Sequence, residues 1–288
     1  MRIAFIGFGE AGRAFADTLR GGGHSIAAFD RKDTPEMAEA MASRGVRQGT
    51  GPGEAVEGAD WIVSAVTADQ SLEAGRSVLP HLAQGQVFFD INSVSPDRKG
   101  ATATEVEASG AHYIDMAVMA PVHPKGHATP VLIAGSAAAD LAPSLREAGF
   151  DLDVAGPKAG EATAVKMVRS LFVKGLEAIT VEALLAAAAS GSFERVLASL
   201  SKSYPGLGWP DNARYNFERT LKHGARRAAE MRESAATLDA LGLNGALAAE
   251  IAEVQDQLGA LDMDDLPEGD LQAAIAALVR ARTGDRTA

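Results

Sequence analysis

The stretch IAFIGFGEAG, residues 3–12, constrains the chain more than any other. A short apolar run ends at Gly7, and Gly7, Gly9 and Gly12 then fall in the spacing G-x-G-x-x-G where a helix pattern opens. Glycine is common in this chain, 30 of 288 residues, so the spacing alone decides little. Its place between a strand pattern and a helix pattern decides more. Gly7 permits a tight turn, Gly9 presents no side chain to a pyrophosphate, and Gly12 lets helix and strand pack closely. Phe8, Glu10 and Ala11 fill the same turn and helix start, so they are assigned to the dinucleotide with the glycines. The second strand pattern ends at Asp30, where a carboxylate would bond the ribose hydroxyls. Asp30 favours NAD, because it repels a 2′-phosphate. Arg31 and Lys32 follow at once, and arginine clamps phosphate well, so NADP stays open.

The rest of the chain divides into two halves of different period. Up to residue 157, RIAFIG, SIAAFD, DWIVSAV, QVFFDINS, HYIDMAVM, PVLIAG and FDLDVAG read as strands separated by helical stretches. Most are too continuously apolar to be half-exposed, which predicts an α/β fold of the Rossmann type, a doubly wound and mostly parallel sheet over residues 1–157. From residue 158 to 288 the strand signals stop, and an all-helical C-terminal domain is expected. Its first helix, over about 30 residues, would be roughly 45 Å long. SFERVLASL follows, then the turn-rich SYPGLGWPDN, from which Asp211 or Asn212 can cap a long helix ending near Gly242. Two further helices are expected near 244–259 and 270–282, and TGDRTA reads as a short tail.

Composition sets limits on partners. A formal charge of −11 and a pI near 5.0 argue against binding nucleic acid or an anionic membrane surface. No run reaches the roughly 20 apolar residues of a membrane span. MRIAFIG reads as a strand and not as a signal sequence. The absence of cysteine removes disulfides, thiolate metal sites and a cysteine nucleophile, and fits a cytoplasmic protein. The six histidines are scattered without ligand spacing, so no metal is expected.

GEATAVKMVRSLFVKGLEA, residues 160–178, opens the long helix and poses a problem. Lys166, Arg169, Ser170 and Lys174 share a face, with Glu177 below them, on a helix whose other positions are largely apolar. A solvated stripe is one answer; a working one is the other.

These segments together resemble the β-hydroxyacid dehydrogenase superfamily, that of 3-hydroxyisobutyrate and 6-phosphogluconate dehydrogenases, over roughly residues 1–178. AVTADQSLEA resembles the family segment that lies along the cofactor, which implies that role for Val66 and Thr67. FFDINSVSP resembles its D-x-S-T-x-x-P motif and implies Asn92 and Ser93 at the mouth of the substrate site. YIDMAVMAPVHPKGHATPVLIAG takes the place of a segment whose Ser-Gly-Gly binds a substrate carboxylate. Here Met119, Ala120 and Pro121 stand instead, and proline has no N–H to offer. His123 and Lys125 lie just beyond as a source of positive charge, with His123 equally readable as an ordinary loop residue. The long helix resembles the motif G-x-G-x-x-x-K-x-x-N-N, with Gly160, with Ala162 for the second glycine, and with Lys166 at the catalytic lysine. That lysine exchanges a proton with the substrate oxygen. Arg169 and Ser170 replace the asparagines. Arg169 reads either as a carboxylate or phosphate grip or as an ion pair to Asp115 or Glu177. FERTLKHGARRAAEM resembles a segment that places a lysine in the cleft, which assigns Lys222 to the cofactor side, while His223 replaces an aspartate.

The resemblance implies an NAD(P)-dependent dehydrogenase or reductase acting on a small hydroxy compound and its carbonyl form. Oxidative decarboxylation of a 3-hydroxy acid is the second enzymatic reading, imine reduction the third, and a non-catalytic cofactor-binding module the last. A helix apolar nearly all round asks for burial on most sides, so a homodimer through the helical halves is expected, bringing Lys222, His223 and Arg226 near the other chain's cleft.

Overall fold

β1 (Arg2–Ile6) sets the pattern of the first half, because it is buried on both faces. Ile3 and Phe5 enter one core with Trp61, Val63, Phe89 and Met116, while Ala4 and Ile6 enter another with Ile62, Phe88 and Tyr113. A strand of period two can be apolar throughout only where helices cover both sides of its sheet.

The protein is described by a computed structural model that covers residues 1–261, 263, 266 and 269–283. In chain order the first half runs β1, α1 (Glu10–Gly21), β2 (Ser25–Phe29), α2 (Pro35–Ala42), β3 (Arg47–Gln48), α3 (Pro52–Val56), β4 (Trp61–Ser64), α4 (Ser71–Val78), β5 (Val87–Asp90), α5 (Pro96–Glu107), β6 (His112–Val118), β7 (Val131–Ala134), α6 (Ala138–Glu147) and β8 (Leu152–Gly156). The described residues form one eight-stranded sheet in the order β3-β2-β1-β4-β5-β6-β7-β8. All neighbours are parallel except β6 and β7. The order reverses between β1 and β4, which makes a crevice outside their carboxyl ends. All seven strands read from the sequence are present. The eighth, β3, is two exposed residues at the sheet edge and carries no apolar signal.

The second half is helical: α7 (Glu161–Ala189), α8 (Phe193–Ser203), α9 (Asp211–Ala240), α10 (Ala246–Gly259) and α11 (Leu271–Thr283). α9 starts at Asp211 itself, with Pro210 in the cap position and no side-chain cap, so Asp211 and Asn212 belong to its first turn and do not cap it. α9 and α10 meet backbone to backbone: a Cβ on Gly224 would lie 2.7 Å from Gly259 Cα. Of the TGDRTA tail only Thr283 is among the described residues. No helix among those residues is long and apolar enough to cross a membrane.

By internal contacts the chain divides into two units, Met1–Met167 and Val168–Ala288. The sequence places its division where the strand signals end, at 157/158. The head of α7 accounts for the difference, since it is tied to the sheet. The Gly160 and Thr163 amides donate to Asp115, Thr163 Oγ1 donates to Val94 O, and Ala162 packs with Ala117 and Ala134.

α7 turns its faces the opposite way from a simple reading of its polarity. Ser170, Lys174 and Glu177 are buried, in line with Met167, Val181 and Leu184. Val165, Val168, Phe172 and Ile179 are exposed, Phe172 to 74% and Ile179 to 66%. Inside the second unit Lys174 Nζ donates to Glu230 Oε2 at 2.6 Å, and Arg227 pairs with Glu177, to which Gln255 also donates.

Candidate active site

The crevice at the strand-order reversal is lined first by the glycine turn after β1. Gly7 has φ +90°, and a Cβ there would lie 2.7 Å from Val66 Cγ1 in the segment after β4. Only glycine fits both conditions. A Cβ on Gly12 would lie 2.7 Å from Gly7 O, whereas one on Gly9 would meet nothing within 4 Å. Gly7 and Gly12 are therefore needed to build the turn, while Gly9 leaves open space beside the start of α1. No side chain caps that helix start, and the amides of a first turn lack intrahelical acceptors and favour an anion. Glu10 is exposed there and Ala11 half-buried.

The other occupants of the turn behave differently. Phe8 is fully buried in the core, its ring beneath the Arg13 guanidinium, and its amide donates to Asp30 Oδ2 at 2.7 Å. Asp30 Oδ1 accepts from the Lys32 amide at 2.9 Å. The Asp30 carboxylate thus braces the turn and keeps only its remaining lone pairs for a ribose. Arg31 is exposed and donates to Gln70.

The opposite wall follows β4 and β5. Asn92 Oδ1 accepts from the Val66 amide at 2.6 Å, and its Nδ2 donates to Ser64 and Ser71. With its amide engaged and 4% of its surface exposed, Asn92 holds the Val66–Thr67 segment in place. Its neighbour Ser93 is half-buried and accepts from Lys166 Nζ at 2.7 Å. Thr67 is exposed beside them.

Beneath this wall lies a sealed cluster of charge. Lys99 Nζ stands 2.9 Å from Asp90 Oδ1, donates to Asp90 O at 2.6 Å, and stands 3.5 Å from Asp115 Oδ1. Tyr113 Oη donates to Asp90 Oδ2 at 2.8 Å. None of these four side chains has more than about a hundredth of its surface exposed. Asp115 Oδ2 accepts from the Gly160 and Thr163 amides at 3.1 and 2.9 Å. Gly160 has φ +99°, and a Cβ there would lie 2.9 Å from Pro96 O at the head of α5. Burial pushes the Asp115 carboxyl above the ordinary aspartate range, against the opposite pull of Lys99 and the Thr163 amide. Burial and the Asp90 charge push the Tyr113 hydroxyl up as well.

Comparison with known proteins accords with this geometry. Residues 2–152 match the family described as the NAD binding domain of 6-phosphogluconate dehydrogenase. The chain belongs to that family. Residues 187–258 match a domain of unknown function, DUF1932. A conserved hypothetical protein from Sinorhizobium meliloti is 35% identical, with 98% of this chain and 96% of that chain covered and a TM-score of 0.77. The 3-hydroxyisobutyrate dehydrogenase of Mycobacterium tuberculosis has the same fold at 21% identity, covering 96% of this chain and 98% of its own, with a TM-score of 0.75. Mouse mitochondrial 3-hydroxyisobutyrate dehydrogenase is 26% identical over 120 residues, 40% of this chain and 35% of its own length. The first unit is accordingly an NAD(P)-binding domain, and its open glycine turn fits the group.

Within this NAD(P)-binding domain, Gly7, Gly12, Asp30, Val66, Asn92, Ser93 and Lys166 are linked by contacts, and Gly9 faces open space. Phe8 takes part through its backbone only. Met119 is half-buried against Ala117 and Ala134, and His123 is exposed. Arg169 and Lys222 are exposed in the second unit, where Ser170 is buried and accepts from Lys174. Both acids that the sequence offers to Arg169 pair elsewhere, Asp115 with Lys99 and Glu177 with Arg227. Among the described residues no group of histidines and acids could hold a metal. Sequence reasoning missed Lys99, Asp90 and Tyr113. Lys99 had a signal: it is in phase with Thr102, Ala103 and Val106, the buried positions of α5.

The raised pKa of Asp115 has a sign that can be tested. A carboxyl whose folded-state pKa exceeds its unfolded value adds stability that is full below the unfolded pKa and lost as pH rises through the folded one. Asparagine does not titrate. The stability of Asp115→Asn relative to wild type should therefore climb from about pH 4 toward pH 7. Urea melts across that range check it, and a constant difference would refute it.

Proposed function

We propose that the protein is an NAD(P)-dependent dehydrogenase or reductase that interconverts a small hydroxy compound, a hydroxy acid above all, and its carbonyl form. The observation that carries this reading is the Lys166–Ser93 hydrogen bond at 2.7 Å. Ser93 follows Asn92, whose side chain holds Val66, and Val66 packs on Gly7. Lys166 thus stands at the end of a short chain of contacts from the cofactor turn, which supports a proton-exchanging role for it. The names of the mouse and mycobacterial relatives support the substrate class.

The nicotinamide, when bound, gives or takes the hydride. The backbone from Gly7 to Gly12 would hold its pyrophosphate, Asp30 and Arg31 its adenosine end, and Val66 and Thr67 the segment beside it. Lys166 would give a proton to the carbonyl oxygen on reduction and take it back on oxidation, with the Ser93 hydroxyl keeping the ammonium aimed. Lysine suits this role better than arginine, because an ammonium shielded from water releases its proton far more readily than a guanidinium. The role of Lys222 rests on the family resemblance, and those of Met119, His123, Arg169 and Ser170 on their places where the chain departs from the family motifs. Asp30, already braced by two amides, discriminates less against a 2′-phosphate than a free carboxylate would, and Arg31 could clamp one, so both NAD and NADP are to be tried.

Two substitutions test the reading. Gly9→Val places its branches in the open space of the turn, so the protein should fold and lose binding of NAD and NADP; calorimetric titration with unchanged affinity for both would sink the assignment. Lys166→Met keeps the apolar stem. A panel of hydroxy acids and alcohols, followed by absorbance of reduced nicotinamide, should identify a substrate on which this variant turns over about a hundredfold more slowly or worse, with cofactor binding retained. Near wild-type turnover would dismiss Lys166 as the proton-transfer group.

We also propose that the chain is a homodimer joined along α7. Its support is the exposed apolar stripe Val165, Val168, Phe172 and Ile179. Light scattering at micromolar concentration should return twice the 29.8 kDa chain mass, and Phe172→Asp should return it once. A monomeric wild type would contradict the proposal.

A further inference from the structure

We infer that Lys99 is a positioning residue for proton transfer: it locks the two supports of the Lys166–Ser93 pair into one frame. The inference rests on the reading of Lys166 given above, but its geometry stands apart from any reaction.

Lys166 and Ser93 come from different parts of the chain, so a 2.7 Å bond between them requires two supports to be set against each other. Ser93 lies between Asn92, whose amide donates to Asp90 Oδ1 at 2.9 Å, and Val94, whose carbonyl accepts from Thr163 Oγ1 at 3.1 Å. Lys166 lies one turn along α7 from Thr163, and the helix head is gripped by Asp115 through the Gly160 and Thr163 amides. Asp90 therefore governs the Ser93 side and Asp115 the Lys166 side. Asp90 ends β5 and is paired in register with Asp115 in the middle of β6. Two carboxylates placed side by side without water repel, and the Lys99 ammonium between them turns repulsion into a clamp. It reaches Asp90 through both the carboxylate and the backbone carbonyl, so it fixes the end of β5 as well as the charge. Lys99 touches none of the reacting groups.

The test reads Lys166 directly and needs no substrate. Apoprotein is acylated competitively with acetic anhydride, and labelling of Lys166 is measured by mass spectrometry relative to exposed Lys125 and Lys202. Lys99→Met removes the clamp. Lys99→Met combined with Asp115→Asn removes one charge of each sign and keeps a folded protein available. In either folded variant Lys166 should leave Ser93 and its labelling ratio should change by at least about threefold, because only the neutral amine is acylated and both its population and its access to the reagent depend on that contact. Val106→Ala, a cavity on the buried face of the same helix, loosens packing without touching the clamp and should leave the ratio unchanged. Unaltered labelling in the double variant, or an equal change in Val106→Ala, would overturn the inference. Altered labelling alongside undiminished turnover of Lys166→Met would instead overturn the catalytic reading and leave the clamp standing.

Discussion

Lys99 and its two carboxylates are a costly arrangement in the first unit, and the backbone beside Ser93 and the head of α7 are both bonded to them. Each ion taken from water costs several kcal/mol even after relaxation, and attraction within the cluster repays this only when geometry is good and the remaining donors and acceptors are filled. Here they nearly are. The ammonium meets a carboxylate, a carbonyl and a second carboxylate, and Asp90 takes the Tyr113 hydroxyl and the Asn92 amide as well. Only Asp115 Oδ1 has no hydrogen bond, with Lys99 3.5 Å away. Apolar residues of similar volume would stabilise such a core at least as well. They could not hold the amides at the head of α7, which need an acceptor. We attribute the retention of charge here to that directional demand.

The same demand bears on why Lys166, the proposed proton-transfer group, sits on a helix that begins in one unit and continues in the other. The first two turns of α7 obey the sheet, through Asp115, Val94 and the Ala162 contacts. The later turns obey a helical core with its own buried ion pairs. A division drawn from periodicity alone falls where strands stop, because periodicity marks kinds of element and not the contacts that bind them.

What the sequence made legible follows the same line. Strands buried on both faces announce themselves as apolar runs, and the glycine turn announces itself because Gly7 and Gly12 answer steric demands that no other residue meets. The resemblance to a family motif singles out Lys166, and the structure sets its ammonium on Ser93. For Phe8 the motif names a position without saying which atoms face the ligand; its side chain lies in the core and its amide on Asp30. Nor does the motif around Asn92 show that its side-chain amide is engaged with Val66, Ser64 and Ser71. Lys99 escaped because a lysine in a polar helix reads as solvated, although its phase on α5 pointed inward. Long-range ion pairs between β5, β6 and α5 leave no local pattern at all.

α7 carries the point furthest. Residues three and four apart share a face, so the sequence reveals that Ser170, Lys174 and Glu177 travel together and that Val165, Val168, Phe172 and Ile179 do too. It does not reveal which face turns inward. Polarity suggests one answer, and the buried pairs to Glu230 and Arg227 give the other. An apolar stripe left outside has an energetic scale. Covering it is worth about 1 to 2 kcal/mol per residue, so four residues on each of two chains bring about 8 to 16 kcal/mol. Losing free motion on association costs about 4 to 15 kcal/mol. The two ranges overlap, so the stripe can direct the proposed pairing of chains without by itself deciding its strength. Other exposed apolar residues of the helical unit, among them Tyr204, Tyr215, Leu241, Leu243 and Leu247, are available to add to it. An interface seeded on α7 and completed by these would be large, apolar and permanent rather than transient.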